Sequence, residues 1–243
     1  CVNPDEVVAL GAALQAGIVA GEVRDQVLLD VIPLSLGVAT AGGIMTKLIE
    51  RNTSIPTQAK HVFTTSRDDQ GWVQVHVLQG ERELVEHNRS LGMFELHGIP
   101  VGPRGTPQIE VCFDVDTNGI VHVSARELVS GRSQRIRVSG SGGLDAKEIE
   151  RLRSEADRNR KSDRAKRERA ELVNQLSGLA HRCRQSLIRA NGSGDGALRA
   201  RLGGIVAQLE EARSDERAPL DELRRRKDEA GRVEAEGQAG GGM

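Results

Sequence analysis

The sequence predicts a mainly β fold, an antiparallel sandwich of about eight short strands, followed by an α-helical arm that folds into a small bundle. Three observations predict it. Runs of strand length alternate apolar and polar residues between about 33 and 138, separated by Gly, Asn and Asp turns. All four aromatics (Phe63, Trp72, Phe94, Phe113) and six of the seven prolines precede residue 144. Residues 145–243 hold 22 basic and 19 acidic side chains, no aromatic and one proline, Pro219. That is about two charged residues in five against a usual quarter, the composition of long exposed helices.

The totals bound the rest. A chain of 243 residues has room for two domains. With 37% apolar residues and 28 glycines, disorder of the whole chain is excluded. The 34 basic and 35 acidic side chains nearly cancel, which argues against a general polycation for nucleic acid or an anionic membrane. Cys1, Cys112 and Cys183 are too few and too scattered for a disulfide framework or a Cys-rich metal site. No apolar run approaches about 20 residues and there is no leader pattern, so the expectation is a cytoplasmic protein. Residue 1 is Cys rather than Met, which fits a piece of a longer chain.

The first element is a short helix. Asn3 is the expected cap and Pro4 the first helical residue, with Asp5 and Glu6 at the positive end and Gly21 as the stop. Val7, Val8, Leu10, Leu14 and Ile18 leave it little polar face, so it expects burial against a further body. Asp25–Asp30 is an apolar triplet fenced by carboxylates. It fits a short buried strand, or a linker that docks in one state and lies exposed in another.

The strands follow. Trp72–Leu78 alternates, setting Val73, Val75 and Val77 on one face and Trp72, Gln74 and His76 on the other. In Gln108–Val115 the same rule groups Ile109, Val111, Phe113 and Val115. Segments 34–40, 44–50, 60–65, 93–97, 120–125 and 134–138 complete the set, with turns at Gly42-Gly43, Asp68–Gly71, Asn118-Gly119 and Ser130-Gly131. Trp72 faces away from Val73 and reads as a shielded surface aromatic.

Residues 140–143 form a hinge-like Gly/Ser linker. Asp145 with Glu148 makes a helix start, and Ile149, Leu152 and Ala156 a first apolar stripe. From Asp157 to Glu171 no large apolar residue occurs, so that stretch bridges solvent or lies over something it does not bury. Leu172, Leu176, Leu179, Cys183 and Leu187 restore a stripe. After a break at Asn191–Gly196, Leu198, Leu202, Ile205 and Leu209, then Leu220 and Leu223, predict two helices folding back on residues 172–188. A disordered tail is expected over 237–243.

Catalytic signatures are missing. There is no G-x-x-x-x-G-K-[ST] loop, G-x-S-x-G elbow, H-E-x-x-H or Cys-x-x-Cys. No catalytic or metal-binding residue is therefore assigned. The six histidines (61, 76, 87, 97, 122, 181) are scattered, and Cys112 reads as an ordinary strand residue. Seven of the twelve residues of Arg158–Arg169 are basic, but interleaved Asp163 and Glu168 make that stretch a solvated helical face rather than a phosphate-binding one. A sandwich with polar loops at one end and a helical arm beyond a hinge suits a groove with a cover. An extended peptide in such a groove is held by main-chain hydrogen bonds and one apolar pocket. A buried Leu-sized side chain gives roughly 2–3 kcal/mol. Four or five backbone bonds at about 1 kcal/mol each bring the sum to roughly 7, near the ~8 kcal/mol of a micromolar complex. Binding this weak needs a cover to lengthen residence.

Specific stretches extend this reading. Asn3–Ala13, Val27–Gly37, Arg51–Pro56, Gln79–Arg82, Arg104–Val111 and Asp116–Ala125 resemble the DnaK-type 70-kilodalton heat-shock chaperone family, nearly continuously over 2–144 and more weakly to about 190. The resemblance implies the last helix of an actin-like ATPase domain at 1–22, an interdomain linker at 23–30, a β-sandwich substrate domain at 31–139, a hinge at 140–143 and a helical lid at 144–236. It implies a peptide groove lined by Val38, Thr40, Phe63, Thr64, Gln70, Val73, Val75 and Ile109. The positions that arch over the peptide in the family are Ala41 and Ser66 here. The bacterial pattern has Met where this chain has Ala41, so the arch is expected to stay open and retention to depend more on the lid. A latch between loop and lid would use Asp68, Arg104 and His181, the first two as a charge pair; His181 also fits a surface histidine on an amphipathic helix. Val27, Leu28, Leu29 and Asp30 match the segment that docks on the ATPase domain, with Gln26 where the family often has an apolar residue.

The function so implied is that of a chaperone's substrate-binding region, holding extended apolar segments of unfolded polypeptides. In the parent chain, an ATPase domain using ATP or ADP with magnesium would control it, aided by a J-domain co-chaperone and a nucleotide exchange factor. This stretch itself is expected to bind no cofactor and to hydrolyse no ATP. One alternative is an iron–sulfur assembly chaperone that binds a single scaffold-protein motif, which Asp30–Pro33 and Gly80–Val85 resemble. A nucleic-acid-binding protein using Arg158–Arg169 is the alternative of another class.

Overall fold

The structure is a computed structural model and describes residues 6–20, 30–138, 145–190, 196–215 and 217–239. Helix α1 (Val7–Val19) starts where the apolar run starts, with Glu6 at its cap. The expected cap Asn3 and the expected stop Gly21 both lie outside the described residues. Val7, Val8, Leu10 and Leu14 are exposed.

Eight strands follow: β1 (Leu36–Thr40), β2 (Ile44–Ile49), β3 (Thr57–Thr64), β4 (Trp72–Gln79), β5 (Arg89–His97), β6 (Gln108–Val115), β7 (Val121–Glu127) and β8 (Ser133–Val138). They form two four-stranded antiparallel sheets ordered β2-β1-β4-β5 and β3-β6-β7-β8. The inward residues read by alternation are the ones that pack. Val75, Val77, Ile109, Val111, Phe113, Val115 and Val123 share one core with Leu36, Val38 and Ala125. Gly37 has a packing reason: a Cβ there would fall 2.2 Å from the Thr46 carbonyl oxygen, at the register shift of the β1–β2 pair. The β6–β7 turn is set by Asp116, whose Oδ1 accepts from the Asn118 and Ile120 N–H groups at 2.8 and 2.9 Å. Across β7 and β8, fully buried Glu127 accepts from the Val129 and Ser130 N–H groups. Burial alone would raise its pKa, but these bonds and the Ser130 hydroxyl hold it below the ordinary carboxylate value.

Helix α2 (Ala146–Ala190) is one unbroken helix of 45 residues, roughly 68 Å long at 1.5 Å per residue. Asp145 caps it, accepting from the Glu148 N–H at 2.7 Å. Its second half joins α3 (Gly196–Ser214) and α4 (Leu220–Ala239) around Leu172, Leu176, Leu179, Cys183, Leu202, Leu209, Leu223 and Val233. This is the bundle that the apolar stripe predicts. Two corrections apply to the arm. Helix α4 runs to Ala239, three residues into the tail expected to be disordered from 237, because extending a formed helix is easy where starting one is not. The stretch 158–169 is not simply a solvated face: Asp163 is 2% exposed, turned onto the sandwich.

Candidate functional site

An open cavity of about 330 Å³ lies at the end of the sandwich where β1, β3, β4 and β6 meet the loops 41–43 and 65–71. Its floor is Val38, Val75 and Ile109, each buried. Val73 and Phe63, half-buried, form the walls. Thr40, Ala41, Thr64, Ser66 and Gln70 make the rim. Ten positions chosen from the sequence thus surround one space. Three more that line it, Ala39, Gln74 and Val111, were missed. Val111 follows from the alternation that selects Ile109. Ala39 and Gln74 face away by alternation, so no sequence signal marked them; at the open mouth of the groove both sides of the strand reach it. Because β2 and β3 are edge strands, each carries a row of backbone groups outside its own ladder.

The rim loops are held by their own hydrogen bonds. Gln70 Oε1 accepts from the Ser66 and Arg67 N–H groups at 3.2 and 3.3 Å, and its Nε2 donates to the Trp72 carbonyl at 2.8 Å. Gln70 therefore lines the groove and also knits the 65–71 loop. Thr40 donates to the Ile44 carbonyl or bonds Thr46, closing the β1–β2 hairpin. Ala41 and Ser66 are both exposed and offer one carbon and one hydroxymethyl group to the mouth. Trp72 is half-exposed and stacks on His97 with ring centroids 6.0 Å apart.

Helix α2 crosses this end and touches it through named contacts. Asn174 Nδ2 donates to the Ala41 carbonyl at 2.8 Å. Gly42, at φ +84°, sits beneath Ala170 and Asn174, where a Cβ would meet them at 3.2 and 3.0 Å. His181 Nδ1 lies 3.5 Å from Asp68 Oδ2. The Arg104 backbone N–H donates to Asp68 Oδ1 at 2.9 Å. The three residues assigned to a latch are thus together, with one correction: Asp68 and Arg104 join through the backbone, not through the guanidinium. The reason is local. Asp69 N–H to Gly102 carbonyl at 2.9 Å and Gly105 N–H to Thr65 carbonyl at 3.2 Å lock the two loops side by side. The Arg104 side chain then reaches up to Gly178 of α2.

Further along α2, contacts appear that the sequence reading did not pick out. Arg82 grips Asp163 through both Nε and Nη2, Arg167 Nη1 donates to Glu83 Oε2 at 2.6 Å, and Arg153 Nη2 donates to the Pro33 carbonyl at 2.8 Å. Hydrogen bonding to Arg82 holds the Asp163 carboxyl below its ordinary pKa of 3.8 despite burial. Lys47 and the Ser35 N–H hold Glu81, on the same loop, below its ordinary value against the opposing effect of burial.

Of the linker residues, Val27, Leu28 and Leu29 lie outside the described residues. Asp30 accepts from the Val31 N–H at 2.8 Å, and its carbonyl accepts from the Ile55 N–H at 3.0 Å. Among the described residues no group of three His, Cys, Asp or Glu side chains is placed to hold a metal ion. Burial pushes the Cys112 and Cys183 thiols up. Among the described residues no helix is long and apolar enough to cross a membrane. A family model described as Hsp70 protein matches residues 1–237.

Proposed function

Since the chain belongs to the Hsp70 family, a family of chaperones, we propose that its 330 Å³ groove holds extended apolar segments of unfolded polypeptides, with α2 as the cover. The observation that carries this is the meeting of Val38, Val73, Val75 and Ile109 in one open apolar depression beneath a helix hydrogen-bonded to its rim. One side chain of Leu or Ile size fills the depression, the peptide backbone runs between Ala41 and Ser66, and α2 lengthens residence. In this reading residues 31–139 are the substrate domain and 144–236 the lid. Residues 23–30 connect them to an ATPase domain whose ATP binding and hydrolysis open and close the lid, with a J-domain co-chaperone and a nucleotide exchange factor as partners. This chain hydrolyses no ATP by itself, and its setting is the cytoplasm.

The test is fluorescence anisotropy of a labelled Leu-rich peptide against the chain and Val73→Glu. Val73 lines the groove and is half-buried, so a glutamate carboxylate placed there can reach the open mouth. Affinity falls at least about tenfold, since an unpaired charge faces an apolar side chain; unchanged affinity overturns the reading. A peptide array then separates breadth from specialism. Binding to many Leu-rich sequences fits a general chaperone, and binding to one motif fits the iron–sulfur assembly branch.

A further inference from the structure

Strand β6 separates two surfaces. Ile109 and Val111 face the groove, while Glu110 and Cys112 face the opposite way, into a depression of about 470 Å³ on the outer side of the same sheet. In register across that sheet run Lys60, Cys112, Ser124 and Arg135 on β3, β6, β7 and β8. Arg126 stands in the adjacent row opposite Glu110, and Arg137 is the next outward residue after Arg135. Lys60, Arg126, Arg135 and Arg137 are exposed, and among the described residues none makes an ion pair or a side-chain hydrogen bond. Five arginines of the helices, Arg151, Arg160, Arg167, Arg184 and Arg224, each grip a carboxylate instead. The outer sheet face thus presents four cations without an ion pair beside two carboxylates, Glu110 and Asp114.

We propose that this face binds an acidic, extended segment of a partner protein whose carboxylates fall at alternate positions. Arg135 and Arg137 are two residues apart on one strand, so they stand roughly 7 Å apart, the spacing of alternate side chains in any extended chain. Arg126 and Lys60 widen the cationic floor on the neighbouring strands, and Ser124 offers a neutral hydrogen-bonding group between them. The interleaved Glu110 and Asp114 decide against a continuous anion. A nucleic-acid backbone or an anionic bilayer would press phosphates onto those two carboxylates, whereas separate peptide carboxylates can straddle them. No Phe, Trp or Tyr lies on this face to stack a base. Because the groove and this surface occupy opposite sides of β6, both can be filled at once.

The test is anisotropy of a short fluorescein-labelled peptide of alternating glutamate and serine, titrated with the full chain. The peptide binds, and it weakens steeply between about 50 and 300 mM salt as the exposed charges are screened. Arg135→Glu with Arg137→Glu lowers affinity at least about tenfold, while a Leu-rich peptide binds the groove as before and does not displace the acidic one. Arg135→Gln with Arg137→Gln replaces the reversal variant if that variant fails to fold. The proposal is overturned if the double variant retains the acidic peptide, if the Leu-rich peptide competes with it, or if a lysine–serine peptide binds equally well. Tighter binding of single-stranded DNA or phosphatidylserine vesicles through the same arginines overturns the choice of a peptide.

Discussion

Arg82, on the loop after β4, holds Asp163 of α2 in a two-pronged ion pair, with Nη2 2.9 Å from Oδ1 and Nε on Oδ2. Asp163 is buried by this contact and Arg82 nearly so, and the pair joins positions 81 residues apart. It ties the middle of the long helix to the sandwich, well away from the groove mouth.

Removing one partner strands a buried charge, which costs about 3–5 kcal/mol in such pairs. Asp163→Ala therefore releases the middle of α2: amide hydrogens around 155–170 exchange faster, and a bound apolar peptide leaves sooner. Arg82→Ala with Asp163→Ala loosens the helix less than either single change, since no charge is left alone. Equal exchange in all three variants counts against the pair as an anchor.

The same pair fixes a pH dependence. A carboxyl whose folded pKa lies below its unfolded one contributes stability above the unfolded value and loses it as pH falls through the folded one. Asp163 is shifted down from 3.8, chiefly by its hydrogen bonds to Arg82. Its contribution to the docking of α2 is thus constant from neutral pH to about 5 and disappears only below about pH 4. Loss of docking already at pH 6, followed by exchange or by a fluorophore on α2, would contradict this assignment.

The rim predicts a dissociation rate. Ala41 and Ser66 leave the mouth of the groove wide, so Ala41→Met slows escape of a labelled apolar peptide. The effect is larger when α2–α4 are deleted than when they are present, because the lid then no longer supplies the missing closure. Identical rates in both backgrounds would show that residue 41 does not gate the mouth.

Asn174→Ala removes the 2.8 Å bond to the Ala41 carbonyl. A bond of that kind contributes about 1 kcal/mol net, so peptide release speeds up by roughly fivefold. Gly42→Ala acts at the same point by strain: φ is +84° and the new methyl meets Asn174 at 3.0 Å. It raises the release rate at least as much while leaving the unfolding of the sandwich core nearly unchanged. Release rates that match the unaltered chain in both variants would exclude this contact from retention.

Much of this was legible in the residues. Period-two alternation placed Val73, Val75 and Ile109 on one inner face because a strand side chain has only two directions to choose from. The Leu172–Leu187 stripe likewise marked the bundle, since only one helical face can be buried there. What failed was long-range and polar. Asp163 sits in a run of basic residues, and nothing nearby in sequence says that Arg82 waits beneath it. The Asp68–Arg104 link looked like a pair of opposite charges, yet the loops are pinned by backbone bonds at 69, 102 and 105, which carry no side-chain signature. Gln74 and Ala39 reach the mouth of the groove only because the sheet ends there.

Between Ala146 and Ser177 helix α2 contains neither proline nor glycine, and it runs without interruption from the sandwich into the bundle. It is therefore a lever. If the groove holds a segment as proposed, a steric load on the bundle acts about the Arg82–Asp163 contact and strains the Asn174–Ala41 bond at the rim, so bulk far from the groove would be felt at its mouth.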